Sequence, residues 1–349
     1  MTPSDRDSER RRWLDATLAA RGERRQGEPA PLTADASFRR FERVATDAGS
    51  RILMDAPPAT ERNHEFIAIS AWLQAAGLRA PVVLAADRAS GFLLVTDLGD
   101  ETLARALEDG DASRRDRLYR DVIDTLVRFQ RASVDVAPPF AAYDRERLAL
   151  ENGLFRTWYV EGLLGLDAPG ARLDDALALL TEAHLAAPRI GVHLDWHCRN
   201  LLICPQAGGA EIGIVDFQDA RIGPLPYDLV SLLRDCYQRF SPVEVEAWLQ
   251  HYLHAARAAG LPGLDDEAAF RRDFDLVGVQ RHLKAIGIFA RLHLRDGRDH
   301  ALDDIDRVLD HLADVLPAHA QLRPLGHWLE AELRPAHAAW RRTRAGARP

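Results

Sequence analysis

The segment from Ile190 to Phe217 constrains the fold more than any other part of the sequence. It opens with alternating apolar and polar residues, which predict a short strand that enters a loop. Two further runs, Leu201–Cys204 and Glu211–Asp216, flank Pro-Gln-Ala-Gly-Gly and predict a β-hairpin. Because the arms of a hairpin lie side by side, we expect Asn200, before the first arm, to lie close to Asp216, at the end of the second.

The polar residues around this hairpin form a pattern suited to phosphoryl transfer. Asn200 and Asp216 offer an amide and a carboxylate oxygen, which are hard ligands of the kind that Mg²⁺ prefers. Asp195 lies five residues before Asn200, where a loop can hold its carboxylate near the metal but not on it. Such a carboxylate can accept the hydroxyl proton of an acceptor molecule. We therefore expect Asp195 to be the catalytic base and Asn200 and Asp216 to be metal ligands.

Two other interpretations of this loop stay open. Asp and Asn favour turns and caps, so a loop that holds His193, Asp195 and Asn200 can arise from turn chemistry alone. A metallohydrolase would instead use His193, Asp195 and His197 as transition-metal ligands. Against this, the sequence contains neither an HxH nor an HExxH pair.

Length and composition favour two lobes and argue against several classes of protein. At 349 residues the chain exceeds the size at which a single core usually stops growing. Its 47% hydrophobic and 28% charged content, with a mean hydropathy of -0.24, is typical of a globular protein. The net charge of -8 argues against a nucleic-acid partner, and no apolar run has the length of a membrane span. The three cysteines lack CxxC spacing, which suits the reducing cytoplasm.

Hydrophobic periodicity divides the chain near residue 98. The elements expected before this point are two helices and four strands, at residues 5–22, Ser37–Val44, Arg51–Met54, Glu61–Ala76, Pro81–Ala85 and Phe92–Thr96. Beyond it, apart from the hairpin segment, the pattern predicts mainly helices. We therefore expect an α+β protein with a small β-rich N-lobe, residues 1–98, and a larger helical C-lobe, residues 99–349.

The motif His-x-Asp-x-x-x-x-Asn, followed by a strand that ends in Asp, resembles the catalytic loop of the aminoglycoside phosphotransferase and choline kinase family. The matching positions are His193, Asp195, Asn200 and Asp216. The likeness extends from about Ser37 to Leu294 and includes Tyr-Asp-Leu at residues 227–229. It implies a protein-kinase-like two-lobe fold and phosphoryl transfer from ATP with Mg²⁺. The acceptor would be a small molecule, and no obligate protein partner is inferred.

The resemblance also predicts where the nucleotide binds. The strand that ends at Val95 leads into Thr96, Asp97 and Leu98, which form the expected connection between the lobes. Backbone groups at these three positions would bind adenine, so the identity of their side chains carries little information.

A lysine expected from the family pattern is missing. In the family a strand lysine contacts the phosphates and pairs with a helix glutamate, whereas here Met54 takes the lysine position and Glu65 that of the glutamate. A carboxylate that faces the nucleotide without a cation is costly, so an arginine should replace the lysine. The candidates on the preceding strand are Arg39, Arg40 and Arg43, of which Arg40 and Arg43 are assigned to the cofactor.

Four short runs, at residues 37–41, 54–58, 154–159 and 217–219, are similar to one branch of this family. That branch consists of bacterial kinases that phosphorylate the anomeric hydroxyl of N-acetylmuramate and N-acetylglucosamine in peptidoglycan recycling. The amino sugar would contact Trp158, His197, Arg199, Gln218 and Lys284. A helical aromatic such as Trp158 is more often a core residue, and the polar stripe that carries Lys284 can equally be solvated surface.

Two further functions stay open beside the amino-sugar kinase. One is a kinase of the same fold that acts on an aminoglycoside, a choline-like compound or another small alcohol. The other is a pseudokinase that serves as a binding module, as the missing lysine suggests. The presence of Asp195, Asn200 and Asp216 together argues against a binding module, which needs neither a base nor metal ligands.

Overall fold

The computed structural model describes residues 3–32, 39–108, 110–206 and 209–346. It divides into two compact units, the first formed by Met1–Phe140 with Arg199–Ala220 and the second by Ala141–Cys198 with Arg221–Pro349. The predicted boundary at residue 98 differs from this division, because two helices, Leu103–Ala106 and Ala112–Asp135, and the hairpin join the first unit. Backbone hydrogen bonds tie the hairpin there, from Ile203 to Glu101 at 2.7 Å and from Ile214 to Arg79 at 2.8 Å.

The strands form one sheet in each unit and a separate hairpin in the first. They are β1 (Ala30–Leu32), β2 (Arg40–Thr46), β3 (Gly49–Asp55), β4 (Val83–Asp87), β5 (Phe92–Thr96), β6 (Ala141–Ala142), β7 (Arg189–Val192), β8 (Leu201–Gln206), β9 (Gly209–Ile214) and β10 (Arg221–Pro224). The orders are β1-β2-β3-β5-β4 and β6-β10-β7, with β8 paired to β9. The predicted strands and hairpins are confirmed, except that Ser37 and Phe38 lie outside the described residues; β1, β6 and β10 were not predicted.

Helices make up most of the second unit, and others pack against the sheet of the first. They are α1 (Pro3–Ala20), α2 (Asn63–Ala75), α3 (Leu103–Ala106), α4 (Ala112–Asp135), α5 (Arg145–Leu154), α6 (Ala171–Ala186), α7 (Tyr227–Leu233), α8 (Pro242–Ala258), α9 (Glu267–Asp296), α10 (Ile305–Val315), α11 (Arg323–Trp328) and α12 (Arg334–Gly346). Two π-helical segments, Phe155–Leu163 and Leu329–Leu333, interrupt the α-helical pattern. Within the described ranges, no helix is long and apolar enough to cross a membrane.

Helix α1 covers one face of the first sheet. Its apolar contacts with the strands involve Leu14, Leu18, Val44, Leu53 and Leu94. Arg6 and Arg10 of the same helix form ion pairs with the buried Asp55 at the end of β3. Because α1 occupies this face, only the opposite face of the sheet can present side chains to a ligand.

Helix α9 forms the centre of the second unit and packs closely against the segment from α5 into Phe155–Leu163. Gly287 permits this approach, since a Cβ at that position would lie 2.5 Å from the carbonyl carbon of Leu154. Leu283 and Ile286 of α9 are buried in the same core. The helical structure predicted for this part of the chain is thus confirmed, and α9 spans Glu267–Asp296.

We expect Gly287→Ala to lower the free energy of unfolding by about 1–3 kcal/mol, because the new methyl group overlaps backbone atoms that cannot move independently. Gly153 in α5 is a matched control, since a Cβ there meets nothing within 4 Å. Gly153→Ala should raise stability by about 0.5–1 kcal/mol through helix propensity. Urea unfolding measures both changes, and equal effects of the two substitutions would contradict the close approach.

Candidate active site

A cavity of about 650 Å³ in the first unit gathers most of the polar residues expected at the nucleotide. The residues that line the cavity and that the sequence assigned to the site are Arg43, Thr96, Asp97, Leu98, Arg199, Asn200, Asp216 and Gln218. The walls are apolar and include Ile52 and Val95 from the sheet and Leu202 and Val215 from the hairpin. The volume lies in the range of about 300–1,000 Å³ that is usual for ligand sites. The cavity therefore has the size and polarity suited to a charged, flat ligand.

The hairpin brings Asn200 and Asp216 together, as the sequence predicts. Leu201 pairs with Ile214, and the N–H of Val215 donates to the carbonyl of Asn200 at 3.2 Å. The side-chain amide of Asn200 then lies 3.5 Å from a carboxylate oxygen of Asp216. The atom of Asn200 that faces the carboxylate is the amide nitrogen, and the Asn200 oxygen and the Asp216 carboxylate are the kinds of ligand that suit Mg²⁺.

The backbone at Asp216 is strained. Its φ of 63° lies in the left-handed region, which a residue with a side chain rarely adopts. Gln218 donates from Nε2 to Oδ1 of Asp216 at 2.8 Å and so holds the carboxylate in one orientation. Gln218, predicted as a sugar ligand, therefore lies at the expected metal site, buried beside the cavity.

Asp195 lies in the second unit, just after β7, on a segment that a buried carboxylate holds in place. The N–H groups of His193 and Leu194 donate to the two carboxylate oxygens of Asp228, at 2.6 and 3.0 Å. Burial raises the pKa of Asp228 to about 7, although these two hydrogen bonds act in the opposite direction. Leu194 has a φ of 79°, so the turn that directs Asp195 is strained and is held by Asp228.

Both histidines of the loop make contacts that support the segment. The ring of His193 is buried, packs edge-on against Trp196, and its Nδ1 accepts the N–H of Asp195 at 3.3 Å. His197, a predicted sugar ligand, packs edge-on against Tyr237 with 5.1 Å between the ring centroids. These contacts differ from the arrangement expected of a metallohydrolase, in which the rings would converge on one ion.

A second buried carboxylate holds the far end of the same segment. Asp235 accepts the N–H of Cys198 at 2.9 Å and the N–H of Tyr237 at 2.8 Å. Sequence reasoning assigned no role to Asp228 or Asp235. The signal for Asp228 was its place in the Tyr-Asp-Leu run after the hairpin, whereas Asp235 carried no recognisable motif.

Arg43, which the sequence predicts to contact the nucleotide, forms ion pairs with two carboxylates at the rim of the cavity. Its Nε donates to Asp97 at 2.6 Å, and a terminal nitrogen donates to Asp100 at 2.6 Å. Hydrogen bonds to Asp100 and Asp97 raise the pKa of Arg43 above its ordinary value. The positive charge of Arg43 is therefore already balanced by protein groups.

Arg40 does not reach the cavity, which corrects its assignment to the cofactor. Its side chain is 63% exposed and lies 3.5 Å from Asp7 of α1. The physical reason is the alternation of side chains along a strand, because Arg39, Phe41 and Arg43 take the cavity face and Arg40 takes the other.

The glutamate that pairs with a cavity-lining arginine is Glu61 and not Glu65, which is a second correction. Glu65, in the first turn of α2, is not among the described residues that line the cavity. Glu61, just before that helix, forms an ion pair with Arg39 at 2.7 Å, and the two side chains are 6% and 8% exposed. Met54, at the expected lysine position, is completely buried.

Lys284, predicted as a sugar ligand, is held by protein groups and stays a prediction in that role. Its ammonium group lies 3.2 Å from Glu151 and 3.3 Å from the hydroxyl of Tyr227, and the side chain is 11% exposed. Trp158, also assigned to the sugar, is half-buried against the core around α9. Arg199 lines the cavity of the first unit.

Comparison with known proteins gives one family and a consistent group of relatives. Residues 28–270 match the phosphotransferase enzyme family. A Pseudomonas putida protein named N-acetylmuramate/N-acetylglucosamine kinase is 40% identical over 330 residues, which span 92% of this chain and 94% of that protein. A Neisseria meningitidis protein of the same name is 38% identical over 298 residues, 84% of this chain and 86% of that protein.

Solved structures show the same fold at low sequence identity. A choline/ethanolamine kinase family protein from Mesorhizobium loti has a TM-score of 0.60 at 17% identity, covering 92% of this chain and 99% of that one. The ADP-bound aminoglycoside phosphotransferase APH(2'')-Ib has a TM-score of 0.55 at 15% identity, covering 87% and 97%. The predicted α+β, protein-kinase-like fold is therefore confirmed.

Proposed function

Because this chain belongs to the phosphotransferase enzyme family, we propose that it transfers the γ-phosphoryl group of ATP to the anomeric hydroxyl of N-acetylmuramate or N-acetylglucosamine. One geometric observation carries the proposal of phosphoryl transfer: Asn200 and Asp216 meet at a cavity of about 650 Å³. The choice of acceptor rests on the relatives named for these two sugars. A supply of ATP places the reaction in the cytoplasm.

The apolar walls of the cavity support an adenine site. Ile52 and Val95 come from adjacent strands of the sheet, while Leu202 and Val215 come from the hairpin. A planar base between such side chains would bury apolar area on both faces, and nearby backbone groups would bind its edge. In this proposal the segment Thr96 to Leu98, which borders the cavity, supplies those backbone groups.

Arg39 is the cation that we assign to the nucleotide phosphates. Arg43 is balanced by two carboxylates and Arg40 lies on the other face, whereas Arg39 faces the cavity with Glu61 as its ion-pair partner. A guanidinium carries five donors in a planar fork, so one side can bind a carboxylate while another binds a phosphate oxygen. In this proposal Glu61 orients Arg39 for its phosphate contact.

The metal in this proposal is Mg²⁺, which Asn200 and Asp216 would hold through their side-chain oxygens. When bound, it would neutralise negative charge on the phosphates during transfer. Gln218 fixes the Asp216 carboxylate through its hydrogen bond of 2.8 Å, and the hairpin fixes Asn200. These residues thus pre-organise the two ligands before nucleotide arrives.

Asp195 is the proposed base. Its carboxylate would accept the proton of the attacking hydroxyl, and Asp228 and His193 fix the backbone that carries it. The anomeric hydroxyl is more acidic than other sugar hydroxyls because the ring oxygen withdraws charge. Such a hydroxyl loses its proton to a carboxylate more readily during attack.

Asp195→Asn should lower turnover by about two to four orders of magnitude while ATP binding persists, because the variant keeps its shape but cannot accept a proton. Asp216→Ala should abolish Mg²⁺-dependent ATP binding as well as turnover, since it removes a ligand. Calorimetric titration of ATP at a series of Mg²⁺ concentrations separates the two roles. Near-normal turnover of Asp195→Asn would contradict the assignment of the base.

Arg39→Met should raise the KM for ATP by about tenfold or more, the equivalent of one lost charge-assisted hydrogen bond. The KM for the sugar should change little. Arg40→Met is the matched control, since it removes the same charge from the opposite face of the same sheet and should leave the KM for ATP unchanged. Equal ATP kinetics for the two variants would show that Arg39 does not bind the phosphates.

The product should be a sugar 1-phosphate, and phosphorus NMR of the reaction mixture tests this directly. An acid-labile phosphate coupled to the anomeric proton is expected with either sugar. Aminoglycosides and choline in the same assay serve as competing acceptors. A 6-phosphate, or turnover of methyl glycosides that are blocked at the anomeric position, would contradict the proposal.

A further inference from the structure

Lys284, the single lysine among the 45 basic residues of the chain, lies in a buried polar cluster of the second unit. Glu151 is its ion-pair partner at 3.2 Å, and Arg147 donates to the same carboxylate at 2.6 Å. The hydroxyl of Tyr143 donates to the other oxygen of Glu151. Desolvation of a buried ion pair can cancel its attraction, so this cluster is better explained by what it positions than by stability.

Tyr227 connects this cluster to the segment that carries Asp195. Lys284 contacts the hydroxyl of Tyr227 at 3.3 Å, and the next residue, Asp228, accepts the backbone N–H groups just before Asp195. Any displacement of Tyr227 at the start of α7 would therefore displace the residue that holds the strained turn at Leu194.

The ammonium group of Lys284 is also held in its charged form. Burial lowers the pKa of Lys284, but Tyr227, Glu151 and Asp195 outweigh that effect and the net pKa is raised. The ammonium group therefore stays charged at neutral pH. His184, which packs against Tyr143 and Tyr227, contributes no charge there because burial lowers its pKa to about 3.

We propose that Lys284 is a positioning residue for the catalytic base: it holds Tyr227, and thereby the Asp228 anchor of the turn before Asp195. This inference rests on the proposed function, because it requires Asp195 to act as the base.

Lys284→Met tests the role by removing the charge while keeping most of the volume. We expect kcat to fall by about 10- to 100-fold through misplacement of the base. The KM values for ATP and for both sugars should change by less than about twofold, since in this proposal Lys284 acts through Tyr227 and not on the substrate.

The double variant Glu151→Gln/Lys284→Met separates positioning from stability. It leaves no unbalanced carboxylate in the cluster, so its melting temperature should recover toward the wild-type value. The lowered kcat should persist, because Tyr227 still lacks its ammonium partner. A kcat that returns to the wild-type value together with stability would show a merely structural role and overturn the proposal.

Two other outcomes are decisive. A rise in KM confined to N-acetylmuramate, with an unchanged kcat, would make Lys284 a ligand of the sugar carboxylate and would overturn the positioning role. Failure of the proposed function is distinguishable, since it appears in the wild-type enzyme as turnover of an aminoglycoside or choline but of neither sugar. The kcat comparison is then made with the acceptor that is phosphorylated, and an unchanged kcat again overturns the inference.

Discussion

The segment that carries the proposed base, Asp195, depends on one interaction. This is the pair of hydrogen bonds from the backbone of His193 and Leu194 to the buried Asp228 carboxylate. A left-handed conformation at a leucine costs about 1–3 kcal/mol and persists only where its surroundings enforce it. Two backbone hydrogen bonds to one buried carboxyl group, each with a net contribution of about 0.5–1.5 kcal/mol, are of the size needed to offset that cost. The position of Asp195 is therefore set by a residue far away in the sequence, and the loop alone cannot define it.

The same principle applies at the hairpin. Among the described residues, the non-glycine positions with positive φ are Leu194 and Asp216. One directly precedes the proposed base, and the other is itself a proposed metal ligand. Gln218 and the β8–β9 pairing hold Asp216 as Asp228 holds Leu194. Strain at both positions, each held by a dedicated polar contact, is the pattern expected where geometry matters more for function than for stability.

The sequence predicts the elements that depend on neighbouring residues. It does not predict contacts that depend on strand register or on pairing between distant residues. The β8–β9 hairpin and the approach of Asn200 to Asp216 follow from turn residues and alternation over some 25 residues. The choice between Arg39 and Arg40 is a matter of register, because a shift of one residue along β2 exchanges the faces of the sheet. The contact between Lys284 and Glu151 joins α9 to α5, and no periodicity within either helix specifies it. Tertiary packing alone supplied that information.

Arginine and lysine are used in this chain for different physical tasks. Met54 is completely buried. Arg39, which precedes β2, carries a planar guanidinium group that can bind Glu61 and still offer donors to a phosphate. The absence of the strand lysine is therefore compatible with catalysis and does not favour a pseudokinase. The site of Lys284 instead requires a small cation, since the ammonium group lies 5.8 Å from the ring centroids of both Tyr143 and Tyr227. A compact ammonium group fits beside these two rings, whereas a larger guanidinium would displace Tyr227, which directly precedes Asp228 in the chain.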